Sequence, residues 1–350
     1  MPFSEARSIL QHAHQDNVFT AAVASVWVED RFVFQEAVGS LGGPGTPHAT
    51  PRAFFDLASV TKVVATTMAW LLMASDDLSV LDAPLSRWLP SAGEDKRAIT
   101  PRHLLAHASG LPAWRPYYLL RLPERPKDFV VAKILSEPLE YPIGERTLYS
   151  DLGFILLGYI LEAAFEQDFA TLCQNRLFKP LGLEHDLMFN PNPAHVPTAW
   201  TRFDEPLGGL VNDLNCRALR GVAGHAGLFG TADGVTRMCR AFMQSLVSPH
   251  GFFAQEAARI FAQRAAIAAG STRALGFDTP AEVDSSSGRY FSPFSLGHTG
   301  FTGVSVWMEL ERQIVIVLLT NRVIMGEADQ RIKRLRPMFH DAVMAELLRF

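Results

Sequence analysis

Strand-forming segments lie at both ends of the chain, and helical segments lie between them. Two segments rich in valine and phenylalanine, residues 19–30 and 31–40, meet at the charged triplet 29–31 and predict an antiparallel hairpin. Strand patterns return near the other end, at residues 294–310 and 312–323. A sheet in this chain must therefore be assembled from the two terminal regions, with a helical region inserted between them.

The region from about residue 77 to 222 is predicted to be helical, with many proline and glycine breaks. Its most apolar segment, residues 151–165, predicts a buried helix. Helices are also predicted at residues 4–15 and at about 328–349. A chain of 350 residues exceeds the usual size of a single core, which favours one large domain or two packed ones.

Composition excludes several classes of protein. A hydrophobic share of 48% and a charged share of 19% are typical of a folded globular chain. The formal net charge of −4 provides no basic surface, so we expect no nucleic-acid partner. Cys173, Cys216 and Cys239 are too few and too irregular for a disulfide framework or a thiolate metal site. They are predicted to be small buried residues.

The first residues, MPFSEARSILQHAHQD, lack the positive start and the apolar stretch of a secretory signal. We therefore expect a cytoplasmic location, or a periplasmic one if a leader had been removed. The longest apolar stretches, residues 63–74 and 153–165, are too short or too interrupted to span a bilayer, so no membrane span is expected. The sequence leaves the oligomeric state open.

The segment DLASVTKVVA, residues 56–65, places Ser59 three residues before Lys62 in an otherwise apolar run. Residues at i and i+3 share a helix face, so the hydroxyl and the amine can meet. A serine becomes a nucleophile when a base takes its proton, and a lysine is such a base only if its pKa is lowered. The apolar surroundings predict this desolvation. The Ser59 N–H, near a helix N-terminus, is a candidate donor to an oxyanion.

The same four residues have a simpler explanation. S-x-x-K is a loose pattern, and a capping serine followed by a solvated lysine would produce it. The helix that continues to Ala74 has no polar face, which favours a buried lysine. The motif alone does not decide between the two interpretations.

Three histidines are further candidates. His103 and His107 have the i, i+4 spacing of a metal pair, but the glutamate of H-E-x-x-H is missing, which favours structural roles. His225 is predicted either to lie near a cleft or to satisfy a buried turn, and we favour the turn. The chain contains neither a G-x-S-x-G elbow nor a phosphate-binding glycine loop. We therefore expect no metal and no organic cofactor.

Two further motifs accompany the Ser59 segment. The sequence TLYSDLGFILLG places Tyr149 and Asp151 at the start of the apolar helix, and SLGHTGFTGVSVW places the triplet 298–300 on a predicted strand. The order S-x-x-K, Y-x-(N/D), basic-Thr-Gly resembles the serine β-lactamase and penicillin-binding protein superfamily. Within it, the chain is similar to the class C β-lactamase branch, with its D-alanyl carboxypeptidases, D-aminopeptidases and class VIII-type esterases. RHLLAHASGLP, GVAGHAGLFGTAD and IVIVLLTNR also resemble this branch.

The resemblance implies an α+β fold of the β-lactamase/transpeptidase type, an antiparallel sheet flanked by helices with an inserted helical domain. Residues 1–76 and 223–350 would form the sheet domain and residues 77–222 the helical domain, with the active site at their interface.

The resemblance also implies roles for individual residues. Ser59 would be the acylated nucleophile, Lys62 its close partner and Tyr149 the group that shuttles the proton. The N–H groups of Ser59 and Phe301 would form the oxyanion hole. Four residues would line the substrate: Asp151, His298, Thr299 and Gly300.

Two positions depart from the family pattern. Asp151 stands where asparagine is usual, and a carboxylate only accepts hydrogen bonds and would hold Lys62 charged. Either this pair titrates jointly, or Tyr149 does more of the base work. A plain helix cap is the alternative role for Asp151. His298 stands where lysine is usual and is only partly charged at neutral pH, which argues against recognition of a substrate carboxylate.

The sequence therefore predicts a serine hydrolase that acts through an acyl-enzyme on an ester, amide or lactam, with a small-molecule or peptide-like substrate. The alternative is a catalytically silent relative that binds cell-wall peptides or a protein partner.

Overall fold

A five-stranded antiparallel sheet joins the two ends of the chain, as the sequence predicted. The computed structural model describes residues 2–204 and 208–349. The strand order is β2-β1-β8-β7-β6, so the C-terminal strand β8 pairs directly with the N-terminal strand β1. The strands of this sheet are β1 (Ala21–Val28), β2 (Arg31–Gly39), β6 (Leu296–Thr299), β7 (Ser305–Glu309) and β8 (Ile314–Thr320).

Helices cover both faces of the sheet, because the central strands are apolar on both sides. Alternate residues of a strand point to opposite faces. Val317 faces one core with α8 (Ala232–Val247), and Ile316 faces a second core with α1 (Ser4–Gln15) and α10 (Ile332–Leu347). The predicted α+β fold, with a sheet flanked by helices, is therefore confirmed.

The segment after Ser59 is one continuous buried helix. It begins near Val60, runs as π-helical turns over Lys62–Thr67 and continues as α2 (Met68–Asp76). All six residues of the π-helical part are buried. Short π-helical stretches in natural helices are frequently found at functional sites.

The inserted region supplies the helix that packs against this buried segment. Its longest helix, α5 (Asp151–Phe165), is almost entirely apolar and packs against the π-helical segment. The Nε1–H of Trp70 on α2 donates to the carbonyl of Leu157 on α5 at 3.2 Å. The other α-helices among the described residues are α3 (Pro101–Leu105), α4 (Pro126–Ser136), α6 (Phe169–Cys173), α7 (Leu214–Ala218) and α9 (Gln255–Ala262). The domain boundaries at residues 76 and 222 stay predictions.

A second, three-stranded antiparallel sheet was not predicted. Its order is β3-β5-β4, from the short strands β3 (Phe55–Asp56), β4 (Leu187–Phe189) and β5 (Leu228–Gly230). Strands of two or three residues are too short to show an alternating pattern. This small sheet matters for function because β3 leads directly into Ser59.

The three cysteines are free and buried, as predicted. Within the described ranges, none of the helices combines the length and apolar character needed to cross a bilayer.

Gly224→Ala is expected to destabilise the fold, because α5 packs directly on the backbone of Gly224. A Cβ there would collide with the carbonyl of Phe154 and lie 2.9 Å from the nitrogen of Gly158. We expect a loss of about 1–3 kcal/mol in the free energy of unfolding, measured by urea denaturation. Gly43→Ala is the control, because its Cβ would meet only the exposed, movable ring of Phe203 at 3.2 Å. Equal stability of the two variants would contradict this close packing.

Candidate active site

A strained turn presents Ser59 at the start of the helix. Ala58 has φ 44°, a left-handed conformation that costs a residue with a side chain about 1 kcal/mol or more. The carboxylate of Asp56 accepts the Ala58 N–H at 2.8 Å and stabilises the turn. The residues that follow Ser59 donate to carbonyls three residues earlier, beginning with the Val60 N–H, which donates to the Leu57 carbonyl at 2.9 Å. The serine is therefore at the N-terminal edge of the helix, with its own N–H outside the helical ladder.

Lys62 is completely buried, and its ammonium faces three oxygen atoms. Nζ donates to Ser59 Oγ at 3.0 Å and to the His225 carbonyl at 3.0 Å, and it lies 2.7 Å from Asp151 Oδ1. Two of these contacts are hydrogen bonds, and the contact with Asp151 is an ion pair. The alternative of a solvated surface lysine is therefore wrong.

Two opposing effects act on the pKa of Lys62. Burial lowers it, while the charges of Asp151 and Tyr149 and the bonds to them raise it, and the net result is a pKa above the usual value. The predicted lowering by dry surroundings is present but is outweighed by the carboxylate. Lys62 is therefore a cation in the resting site. This agrees with the expectation that a carboxylate at position 151 would hold Lys62 charged.

Tyr149 lies between Lys62 and the triplet on β6. Its ring is 5.0 Å from Lys62 Nζ, and its hydroxyl interacts with the side chains of Lys62 and Ser59. Burial raises its pKa more than the Lys62 charge lowers it, so Tyr149 rests as a neutral phenol. The His107 ring packs against it with centroids 4.6 Å apart.

Asp151 is not the cap of α5. Ser150 is the cap, because its Oγ accepts the Gly153 N–H at 3.2 Å and donates to the Pro112 carbonyl at 2.7 Å. Asp151 is the first helical residue and directs its carboxylate to Lys62. The alternative of a plain cap is therefore wrong, and Asp151 is an ionic partner at the centre of the site.

His298 on β6 is neutral. It is 2% exposed, and Nδ1 lies 2.8 Å from the Thr299 carbonyl, so Nδ1 carries the hydrogen. Burial, together with the positive charges of Lys62 and Arg273, lowers its pKa to about 4. Nε2 is a buried acceptor without a partner among the described residues. The expectation that His298 is partly charged at neutral pH is therefore corrected: its ring is uncharged there.

The turn after β6 orients a second N–H group. Arg336 on α10 donates to the carbonyls of Gly300 and Val304. A trans peptide points its N–H opposite to its C=O, so this contact fixes the direction of the Phe301 N–H, which points away from Arg336. A Cβ on Gly300 would lie 2.8 Å from the Leu57 carbonyl, so only glycine permits this approach to the Ser59 turn. Neither the Ser59 N–H nor the Phe301 N–H has a protein acceptor in the described ranges.

The other histidines have roles that the sequence only partly indicated. His103 forms a capping box with Thr100, and His107 Nδ1 accepts the Ser150 N–H at 3.0 Å, so both are structural, as favoured.

His225 contacts Lys62 through its carbonyl and Asp213 through Nε2, at 2.9 Å. His225 lies in a buried turn, as favoured, and this turn also contacts the Lys62 site. Asp213 was missed, since an isolated aspartate before a short helix carries no distinctive pattern.

These residues surround a cleft of about 800 Å³. Ser59, Tyr149, Asp151, Asp213 and the segment 298–301 line it, so the structure brings together the residues that three separate motifs predicted. Within the described ranges, no group of three or more His, Cys, Asp or Glu side chains could hold a metal ion. The cleft also has an aromatic edge, formed by Trp114, Tyr118 and Phe301.

The fold and this cleft define a serine hydrolase of the β-lactamase/transpeptidase class. The chain belongs to the β-lactamase family, whose family model, described as "Beta-lactamase", matches residues 6–336. It is 28% identical over 315 residues to the "Putative D-alanyl-D-alanine carboxypeptidase" of Escherichia coli (strain K12), covering 78% of this chain and 70% of that protein. It is 28% identical over 307 residues to the N-acetylmuramyl-L-alanine amidase of Bacillus subtilis (strain 168), covering 77% and 68%.

Solved structures share the fold at low sequence identity. EstCE1, a hydrolase with promiscuous acyltransferase activity, has a TM-score of 0.77 at 22% identity, with 97% of each chain covered. A class C β-lactamase from Rhodobacter sphaeroides has a TM-score of 0.75 at 18% identity, with 98% of this chain and 99% of that chain covered. The predicted superfamily and the prediction of a serine hydrolase are thus confirmed.

Replacing Asp151 by the asparagine usual in the family is expected to lower the pKa of Lys62. The substitution removes the main effect that raises this pKa, while the burial that lowers it remains. Side-chain ¹⁵N NMR of the lysine ammonium groups would follow the titration. Asp204→Asn is the control, because it makes the same change in an exposed ion pair, that of Asp204 with Arg202. It should leave the Lys62 titration unchanged. A Lys62 titration that is the same in Asp151→Asn and the unmodified protein would contradict the assignment of this ion pair.

Proposed function

We propose that the protein hydrolyses neutral esters or amides through an acyl-enzyme on Ser59. One observation carries the proposal: Ser59 Oγ lies 3.0 Å from the Nζ of a fully buried lysine, at a cleft lined by two residues, Ser59 and Phe301, whose N–H groups have no acceptor among the described residues. A hydroxyl, a cation and two oxyanion donors are the parts that acyl transfer requires.

The resting charges set the route of the proton. Lys62 is already protonated and donates to Ser59 Oγ, so in this state it stabilises a developing alkoxide instead of accepting its proton. Tyr149 is neutral and interacts with the same hydroxyl. In the proposed step the Ser59 proton passes to the Tyr149 oxygen as the Tyr149 proton passes to the leaving group. The tyrosine is thus neutral before and after the step.

Charge on the substrate is stabilised by the backbone. Attack of Ser59 on the carbonyl converts its oxygen into an oxyanion, which the N–H groups of Ser59 and Phe301 would hold. Collapse breaks the bond to the leaving group and leaves an ester on Ser59. Water then attacks this ester: a proton of the water passes to the Tyr149 oxygen as the Tyr149 proton passes to Ser59 Oγ, and the bond from Ser59 Oγ to the acyl group breaks, which releases the acid product.

The charges next to β6 favour a substrate without a carboxylate at this strand. His298 is uncharged, and Arg273, which lies near Tyr149, forms an ion pair with Asp278. The two curated relatives above are named for a peptidase and an amidase, so a peptide-like amide fits the proposal as well as an ester does. Thr299 and Gly300 would present the strand edge to such a substrate.

Ser59→Ala is expected to abolish both hydrolysis and covalent labelling. We expect at least a 10³-fold loss of p-nitrophenyl butyrate hydrolysis, because only residual oxyanion stabilisation remains. Intact-mass spectrometry after treatment with a fluorophosphonate should show one adduct on the unmodified protein and none on the variant. A protein that gains no adduct and turns over no ester or amide would instead be the silent peptide-binding relative. Ser8→Ala, on the exposed face of α1, is the control.

His298→Lys is expected to shift the preference towards carboxylate-bearing substrates. Mono-p-nitrophenyl succinate and p-nitrophenyl butyrate form a matched pair that differs mainly by a carboxylate. The unmodified protein should not favour the succinate, whereas the variant should raise the succinate-to-butyrate ratio of kcat/KM about tenfold, since a charged hydrogen bond contributes about 1.5 kcal/mol or more. If the succinate-to-butyrate ratio is the same in the His298→Lys variant and the unmodified protein, position 298 does not contact the substrate carboxylate, and this prediction is wrong.

A further inference from the structure

The loop that joins α7 to β5 holds Lys62 in place. Gly221 and Gly227, both with positive φ, shape this loop, and His225 at its centre is 1% exposed. Two successive carbonyls of the loop bind the buried helix. The Gly224 carbonyl accepts the Thr66 hydroxyl at 2.6 Å, and the His225 carbonyl accepts Lys62 Nζ at 3.0 Å.

The His225 ring is held from the opposite direction. Its Nε2 lies 2.9 Å from Asp213 Oδ1, and the same oxygen accepts the Cys216 N–H at 2.7 Å as the cap of α7. Asp213 remains ionised, since the His225 contact and the Cys216 bond lower its pKa to about 2 against the opposing effect of burial. Nε2 therefore carries the hydrogen. Nδ1 is buried and has no partner among the described residues.

These contacts form a connected network around Ser59, the candidate nucleophile. The N–H of Asn212, next to Asp213 in the chain, donates to Asp56 Oδ2 at 2.6 Å, and Asp56 Oδ1 accepts the Ala58 N–H at 2.8 Å. The path from the Ser59 turn thus runs through Asp56, segment 212–213 and His225 to Lys62. From Lys62 it returns to Ser59 Oγ.

We propose that Asp213 and His225 form a positioning dyad that fixes the ammonium of Lys62 relative to Ser59 Oγ. The dyad holds the carbonyl of His225 at one side of the ammonium, and Asp151 holds another side. Neither residue of the dyad exchanges a proton with the substrate; both act through Lys62. This inference rests on the proposed function, since it assigns the support of the same site.

The test compares two substitutions of His225 that differ in one hydrogen bond. His225→Gln retains an N–H donor towards Asp213, whereas His225→Ala removes it. We expect His225→Ala to lower kcat for p-nitrophenyl butyrate by about 10- to 100-fold, the range for groups that orient catalytic ligands, with KM within about twofold. His225→Gln should recover most of this loss. Asp213→Asn should lower kcat in the same way.

His340→Ala is the matched control, because His340 is equally buried and hydrogen-bonded, to Ser305 and Ser286, but packs in the core formed by α1 and α10. It should lower the melting temperature with kcat retained. The ¹⁵N resonance of Lys62 is a readout besides activity. His225→Ala should move it, since the carbonyl of residue 225 that accepts from the ammonium is no longer held by the ring contact with Asp213, and His340→Ala should not.

The outcomes separate the two proposals. If His225→Ala and His340→Ala change kcat and the Lys62 resonance alike, the dyad is merely structural and the inference is overturned. If the unmodified protein gains no fluorophosphonate adduct and hydrolyses no ester or amide, the proposed function fails, whatever the NMR result. A displaced Lys62 resonance with rescue by glutamine supports the dyad.

Discussion

The ion pair between Lys62 and Asp151 is the contact on which the rest of this structure depends. Burying an ammonium without partners is very costly, so the fold must supply a carboxylate and further acceptors at once. Three separate parts of the chain meet this demand: the Ser59 turn, the N-terminus of α5 and the loop at His225. The same requirement that stabilises the buried charge brings the candidate nucleophile, the phenol and the oxyanion donors into one cleft.

Close backbone packing makes this meeting possible. Glycines at positions 158, 224 and 300 lie where a Cβ would strike a neighbouring backbone. Gly158 and Gly224 let α5 and the His225 loop pack against each other, and Gly300 lets the turn after β6 approach the Ser59 turn. The strained Ala58 is held by Asp56, whose buried carboxyl has a pKa raised to about 6, with desolvation as the main cause. Strain of this kind persists only where surrounding contacts determine the conformation.

Two substitutions alter the chemistry of a shared family scaffold in a coordinated way. Asp151 keeps Lys62 cationic, and the cation in turn helps to keep His298 neutral. A lysine at position 298 would add a further positive charge to this buried cluster. The two departures therefore change the charge of the site in the same direction. Asp151 adds a negative charge near Ser59, and His298 removes a positive charge from β6. The proposed preference for neutral substrates follows from this balance.

The sequence by itself determined the large sheet, the apolar helices and the residues of three motifs, because strand alternation, helix periodicity and motif spacing are local properties. It did not determine the small sheet, whose strands are too short to show a pattern, nor the contacts that link Asp213 and His225 to Lys62. Only the tertiary structure decided that Lys62 is a cation, since its pKa is the difference between a burial effect and an attraction whose sizes depend on distances. Distances between Ser59, Asp151 and His225 are set by long-range packing. They are properties of the fold, and no local stretch of residues encodes them.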